Sequence, residues 1–173
     1  MQRTAMTARS AALGFGFTLA LTFSALAQSG ARIEKLEVVN EGFVSTEKRG
    51  SRAAPGSVGG VQRDVGKVQF FSDPPPVTAK TGVSFGVEFR PRGPRRDATA
   101  TLRTVWKVPA PGITDPKSGN TYRDFGTNFP VREGKVFFRG YTILESWEVV
   151  RGDWTLEIWQ DDRKLLERTF AIK

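Results

Sequence analysis

Val83-Ser84-Phe85-Gly86-Val87-Glu88-Phe89-Arg90 alternates strictly: the apolar side chains at 83, 85, 87 and 89 are separated by Ser, Gly, Glu and Arg. A period of two places successive side chains on opposite faces of an extended chain, so this octapeptide is a half-buried strand with an aromatic inner face. Further on, Ala98, Ala100, Leu102, Trp106 and Val108 hold even positions, and Thr99, Thr101, Arg103 and Lys107 hold odd ones; Thr104 and Val105 break the rule. Between the two stretches lies Arg90-Pro91-Arg92-Gly93-Pro94-Arg95-Arg96-Asp97. Its prolines and glycine do not sustain a ladder, which predicts a hairpin connection.

The C-terminal third repeats the design. Trp154, Leu156 and Ile158 alternate with Thr155 and Glu157, Asp161-Asp162-Arg163 supplies a turn, and Leu166, Phe170 and Ile172 mark a last strand entered after Gly152. Ile33–Val44 predicts another strand, with a bulge at Gly42. Shorter strands are expected near Lys67–Phe71, Gly134–Phe138 and Tyr141–Ile143. No sustained apolar period of 3.6 follows the N-terminal segment. Several short strands separated by turn signals predict an all-β fold, a sandwich of about 7–8 strands.

Two connections exceed ordinary turns. Residues 46–64 are basic and Gly-rich, with Lys48, Arg49, Arg52, Pro55 and hardly a large apolar side chain, and are expected to form a flexible loop. Residues 109–129 carry two Pro/Gly turn signals but offer Ile113, Tyr122, Phe125 and Phe129 as anchors.

The N-terminus has a different character. Arg3 and Arg9 precede an uncharged, mostly apolar run from Ala11 to Leu26 that ends on Ala25-Leu26-Ala27. Positive start, apolar segment and small-residue exit predict a signal peptide over residues 1–27 and export to the periplasm or the outside. An uncleaved anchor is the competing reading, since no charge falls between Arg9 and Arg32. Cleavage leaves one domain, residues 28–173, with no transmembrane segment. Both methionines lie in the signal and the chain has no Cys and no His. No disulfide staples the domain, thiolate metal sites are excluded, and a disulfide-free exported domain of this size points to a bacterium.

Net charge is +8, and +6 once Arg3 and Arg9 are removed. A basic excess favours an anionic partner. For an exported protein that partner is an envelope component or another protein, not nucleic acid.

From Thr81 to Lys173 the motifs fall in a definite order. Gly82, Phe85 and Gly86 come first, then Trp106-Lys107-Val108-Pro109 and Gly112. Gly140-Tyr141, Trp147-Glu148 and Gly152-Asp153-Trp154 follow, and Phe170-Ala171-Ile172 closes the series. This order resembles a bacterial family of exported immunoglobulin-like domains of unknown function, with Ile33–Val44 as its first strand. The resemblance implies export and an immunoglobulin-like sandwich, and carries no catalytic residues with it.

Chemistry is constrained by elimination. Without His or Cys the common nucleophile–base pairs are missing. Asp153, Glu157, Asp161 and Asp162 form the densest acidic group, and paired carboxylates can cleave glycosides; turn chemistry, however, explains Asp161 and Asp162 fully and is the preferred reading. Asp115-Pro116-Lys117-Ser118-Gly119-Asn120 lacks the alternating ligands of a calcium loop. No metal, cofactor or catalytic residue is therefore expected. Two surface features remain. Arg90, Arg92, Arg95 and Arg96 crowd one stiffened connection and suit forked binding of phosphate or carboxylate, or serve only as solvated, edge-protecting charge. Trp159 falls on the face opposite Trp154, either exposed to a glycan or partner or packed across the hairpin onto Leu165 or a neighbouring strand. The expected function is a non-enzymatic binding or structural module. The alternatives are a small carboxylate enzyme and an assembly accessory acting by strand addition.

Overall fold

A computed structural model describes residues 30–71 and 78–173. The predicted signal peptide lies outside the described residues. Ten strands follow one another: β1 (Lys35–Ala53), β2 (Val61–Phe70), β3 (Ser84–Arg92), β4 (Thr99–Lys107), β5 (Ile113–Thr114), β6 (Thr121–Tyr122), β7 (Asp124–Arg132), β8 (Phe137–Thr142), β9 (Gly152–Gln160) and β10 (Arg163–Ile172). Eight of them form two antiparallel four-stranded sheets, ordered β2-β1-β3-β8 and β10-β9-β4-β7. β5 and β6 make a separate small hairpin. No helix among the described residues is long and apolar enough to cross a membrane.

The order is that of an immunoglobulin-like sandwich: β1, β3 and β8 take the places of strands A, B and E, and β10-β9-β4-β7 those of G, F, C and C′. Antibody domains pin strands B and F with a disulfide over a tryptophan of strand C. Here Phe85 of β3 and Trp154 of β9 meet edge to face at 5.6 Å, and Trp106 of β4 packs edge to face on Phe85 at 5.5 Å. An aromatic cluster thus occupies the place of the bridge. Phe170 and Tyr141 complete it, and the Trp154 indole N–H donates to the Val150 carbonyl at 2.9 Å.

The alternation in β3, β4, β9 and β10 sorts side chains as predicted. Phe85, Val87, Phe89, Leu102, Trp154, Leu156 and Ile158 are buried. Thr104 is not an exception to parity, for it too points inward and is buried.

Four expectations are corrected. Residues 90–97 do not form a hairpin: Arg90–Arg92 complete β3, and because β3 and β4 belong to different sheets the residues that follow cross the sandwich. Residues 46–64 are not a loop. β1 continues past Val44 and pairs with β2 from Val44↔Phe70 to Ala53↔Val61, forming a projecting arm. Backbone pairing holds this arm, and its turn sinks only Ala54 and Val58. The bulge of β1 against β3 falls at Val39, between the pairs Val38↔Phe89 and Asn40↔Glu88, rather than at Gly42. It shifts the inward face from Leu36 and Val38 to Glu41 and Phe43, which oppose Val87 and Phe85. Finally, residues 133–136 are a turn, and the two short strands expected around them are the single strand β8. The end of the 109–129 connection likewise belongs to β7, where Phe129 is buried.

The arm crosses from one sheet to the other. At its tip the Gly126 N–H of β7 donates to the Gly56 carbonyl at 3.2 Å. The approach is so close that a Cβ on Gly56 would lie 2.4 Å from the Gly126 oxygen. On the opposite side of the sandwich, Arg168 of β10 pairs with Glu41 of β1. Gln160 anchors the segment before β1, accepting from the Ile33 N–H and donating to the Ala31 carbonyl, both at 2.8 Å.

Candidate functional site

The four arginines do not share a hairpin tip. Arg90 and Arg92 belong to β3, where parity turns both outward to Glu37 of β1. Arg92 Nε donates to Glu37 Oε2 at 2.8 Å, and Arg90 lies 4.0 Å from the same oxygen. The hydrogen bond from Arg92, with the charges of Arg92, Lys35 and Arg90, holds the Glu37 carboxyl below the usual range against the opposing effect of desolvation. These two arginines are largely spent on Glu37. Arg95 and Arg96 stand exposed in the crossover turn.

That turn forms one end of the sandwich together with the start of β1 and the β7–β8 turn. The Gly134 N–H donates to the Pro91 carbonyl, Glu133 N–H to Ala98 and Glu34 N–H to Arg92. Arg32 and Lys135 are also exposed there. Asp97 is paired with Arg132 at 3.3 Å, and Glu133 accepts from the Asp97 N–H at 3.1 Å. Among the described residues Arg32, Arg95, Arg96 and Lys135 take part in no ion pair, and neither does the Glu34 carboxylate at this end, although the Glu34 backbone bonds Arg92 and Arg163. The basic feature seen in sequence is therefore relocated, losing Arg90 and Arg92 and gaining Arg32 and Lys135.

Trp159 lies half-buried on the outer face of β9. Its register partners are Lys164 on β10 and Arg103 on β4, not Leu165. A register shift at Leu165 is the reason, and Leu165 packs against the core instead. The indole N–H donates to Glu157 Oε2 at 3.0 Å, and the Lys164 ammonium lies 5.7 Å from the ring centroid. Glu157 is 3 % exposed and accepts from Lys107 at 2.8 Å and Lys164 at 3.2 Å. Desolvation opposes its ionisation, but hydrogen bonds from Lys107, Trp159 and Lys164 outweigh it and pull the carboxyl down to about 2. A carboxylate so engaged is fixed in its charged form and is poorly suited to proton transfer at neutral pH. Asp161 and Asp162 form the β9–β10 turn, with Asp161 at φ 51°. Asp115 bonds the Lys117 N–H and Ser118 hydroxyl of its own turn, each at 2.9 Å. Among the described residues no three His, Cys, Asp or Glu side chains converge as a metal site.

Both edges of the β10-β9-β4-β7 sheet are guarded. β10 carries Lys164, Glu167 and Arg168 and the irregularity at Leu165; β7 contains Pro130 and receives the arm tip. These devices oppose strand addition.

The sequence did not announce one further feature, a cavity of about 150 Å³ beneath the arm. Val58, Val61 and Val65 of the arm region face Trp106 and Phe125 of one sheet and Arg139 and Tyr141 of the other. Arg139 projects inward from β8 opposite Val87, and its guanidinium stacks 3.6 Å from the Phe129 ring centroid. One NH donates to the Phe138 carbonyl at 3.0 Å. Desolvation, then repulsion from Arg52, lowers its pKa to about 10, so it remains a cation. Arg139 Nε and Thr104 Oγ1 are the buried side-chain atoms left without a hydrogen-bond partner among the described residues, and both residues line this cavity. An orphaned buried donor costs about 1–3 kcal/mol. Glu148, also in the wall, is engaged elsewhere: its Oε2 accepts from the Leu144 N–H at 2.6 Å. Its pKa is raised by burial, which outweighs the backbone bonds from Leu144 and Glu145 and the Tyr141 hydroxyl. The visible signals were Thr104, a hydroxyl at an inward position, and an arginine set between Phe138 and Tyr141; neither reveals a cavity until the arm is placed.

A solved structure described as an immunoglobulin-like protein from Pseudomonas aeruginosa is similar to this chain at 23% identity, covering 85% of this chain and 99% of that one, with a TM-score of 0.47. No curated protein matches. The family model described as a domain of unknown function, DUF3859, matches residues 32–172, which span every strand of both sheets, and the chain belongs to that family.

Proposed function

We propose that this chain is an exported, non-enzymatic sandwich module of the bacterial envelope that engages an anionic partner, lipid headgroup or acidic glycan, with its basic end. The observation that carries the reading is the gathering of Arg32, Arg95, Arg96 and Lys135 at that end while the acids Glu37, Asp97 and Glu133 are engaged locally. Guanidinium groups bind phosphate and carboxylate oxygens through paired donors, so two adjacent arginines on a turn form a natural contact for such surfaces. Export rests on the N-terminal pattern of charge, apolar run and small-residue exit.

The test is co-sedimentation with vesicles of anionic or neutral phospholipid, at low and raised salt, beside retention on an acidic polysaccharide column. Binding to anionic material that weakens with salt, and falls about tenfold in Arg95→Ala/Arg96→Ala, is expected from loss of two charge-assisted contacts. Equal retention of parent and variant would remove this end from consideration.

A further inference from the structure

We infer that the cavity beneath the β1–β2 arm is a binding site for a small organic carboxylate with a compact apolar body. This does not rest on the reading of the basic end. Its donors come from both sheets: Arg139 enters from β8, and Thr104 enters from β4 with its hydroxyl unpartnered and the residue 4 % exposed. Among the described residues no carboxylate lies within ion-pair reach of Arg139. Glu148, the acid of the lining, is bound by the N–H groups of its own turn and does not neutralise it.

The chemistry of the ligand follows from the walls. A guanidinium edge and one hydroxyl together present donors for the two oxygens of a carboxylate. Trp106, Phe125 and Phe138 line the rest with aromatic surface, which suits an apolar body and penalises a multiply charged, strongly hydrated anion such as phosphate. A volume of about 150 Å³ is comparable to an engineered cavity known to take up benzene, so the body holds on the order of six to eight carbon atoms.

An inward-pointing charge on an edge strand also discourages sheets from pairing edge to edge. That role needs no ligand, and binding separates it from ours. The full chain is titrated with benzoate and, separately, with uncharged benzyl alcohol, following tryptophan fluorescence and the NMR resonance of the Arg139 Nε–H. Saturable benzoate binding that moves this resonance is expected, with benzyl alcohol at least about tenfold weaker for want of the charge-assisted contact. Thr104→Val, close in shape, should keep the parent's circular dichroism and weaken benzoate by about fivefold to tenfold; Arg139→Met should abolish benzoate binding. An Arg139 Nε–H resonance unmoved by millimolar benzoate, equal affinity for benzyl alcohol, or unchanged benzoate affinity in Thr104→Val would each overturn the inference and leave Arg139 as an edge guard.

Discussion

Phe85→Ala tests whether the aromatic cluster replaces a disulfide in this sandwich. Phe85 is fully buried, and its ring lies 5.2–6.2 Å from those of Phe170, Trp106, Trp154, Phe43 and Tyr141. Truncating a buried Phe costs about 3–5 kcal/mol, which includes the residual cavity. Aromatic pairs add about 0.5–1.5 kcal/mol each beyond their area, and five neighbours from both sheets cannot all relax into the space. The loss therefore falls at the upper end, about 5 kcal/mol. A domain of this size has a total stability of about 5–15 kcal/mol, so the variant gives up between about a third and all of it. Its Tm should drop by about 10–20 °C, at roughly 2–4 °C per kcal/mol. Urea titration followed by tryptophan fluorescence measures the loss directly. Phe43→Ala, at the partly buried margin of the same cluster, serves as the comparison and should lose about 1–2 kcal/mol. A Phe85→Ala loss no larger than that of Phe43→Ala would refute the idea that Phe85 is the keystone between the sheets.

Two other perturbations probe the outer face and the arm. Glu157 titrates near 2 in the fold and near 4.5 when exposed, so its contribution is complete above about pH 5 and disappears as pH falls towards 2. That contribution is about 2 kcal/mol, because both lysine partners reach solvent and are screened; Glu157→Gln should flatten the acid limb of stability against pH, and an unchanged limb would contradict the pairing. Gly56→Ala places a methyl against the Gly126 carbonyl and should lift the arm tip from β7, so that trypsin cleaves after Arg49 or Arg52 several times faster than in the parent while the sandwich core stays intact; equal cleavage rates would mean that the tip contact does not hold the arm.

Alternation made β3, β4, β9 and β10 legible because each has one face on the core and one in water, the condition under which a period of two is strongest. Residues 46–64 fail that condition. In the arm most side chains on both faces meet solvent, so its strands are set by backbone pairing and leave little trace in hydropathy. The stretch Arg90–Asp97 shows a second limit, since Pro, Gly and Arg mark the end of a strand without saying which sheet the next one joins. Of the candidate residues, Arg95 and Arg96 were found as exposed charge, whereas Arg90 and Arg92 required the register to reveal Glu37 opposite them. Thr104 was visible as a breach of pattern and proved to be the inward hydroxyl of a cavity. Arg139 and Glu148 become partners of that cavity only through contacts between elements distant in the chain.

The arm has a mechanical consequence. β1 is bonded to β3 along its first half and carries β2 along its second, and the tip of that hairpin is bonded to β7 in the other sheet. The two layers are thus strapped together by a tether that ends in the backbone hydrogen bond at Gly56 beside the buried Val58. Under load along β1, that link should give way first and let the arm pay out before the sandwich shears, so that extension would proceed in two steps, a short compliant one and a stiff one.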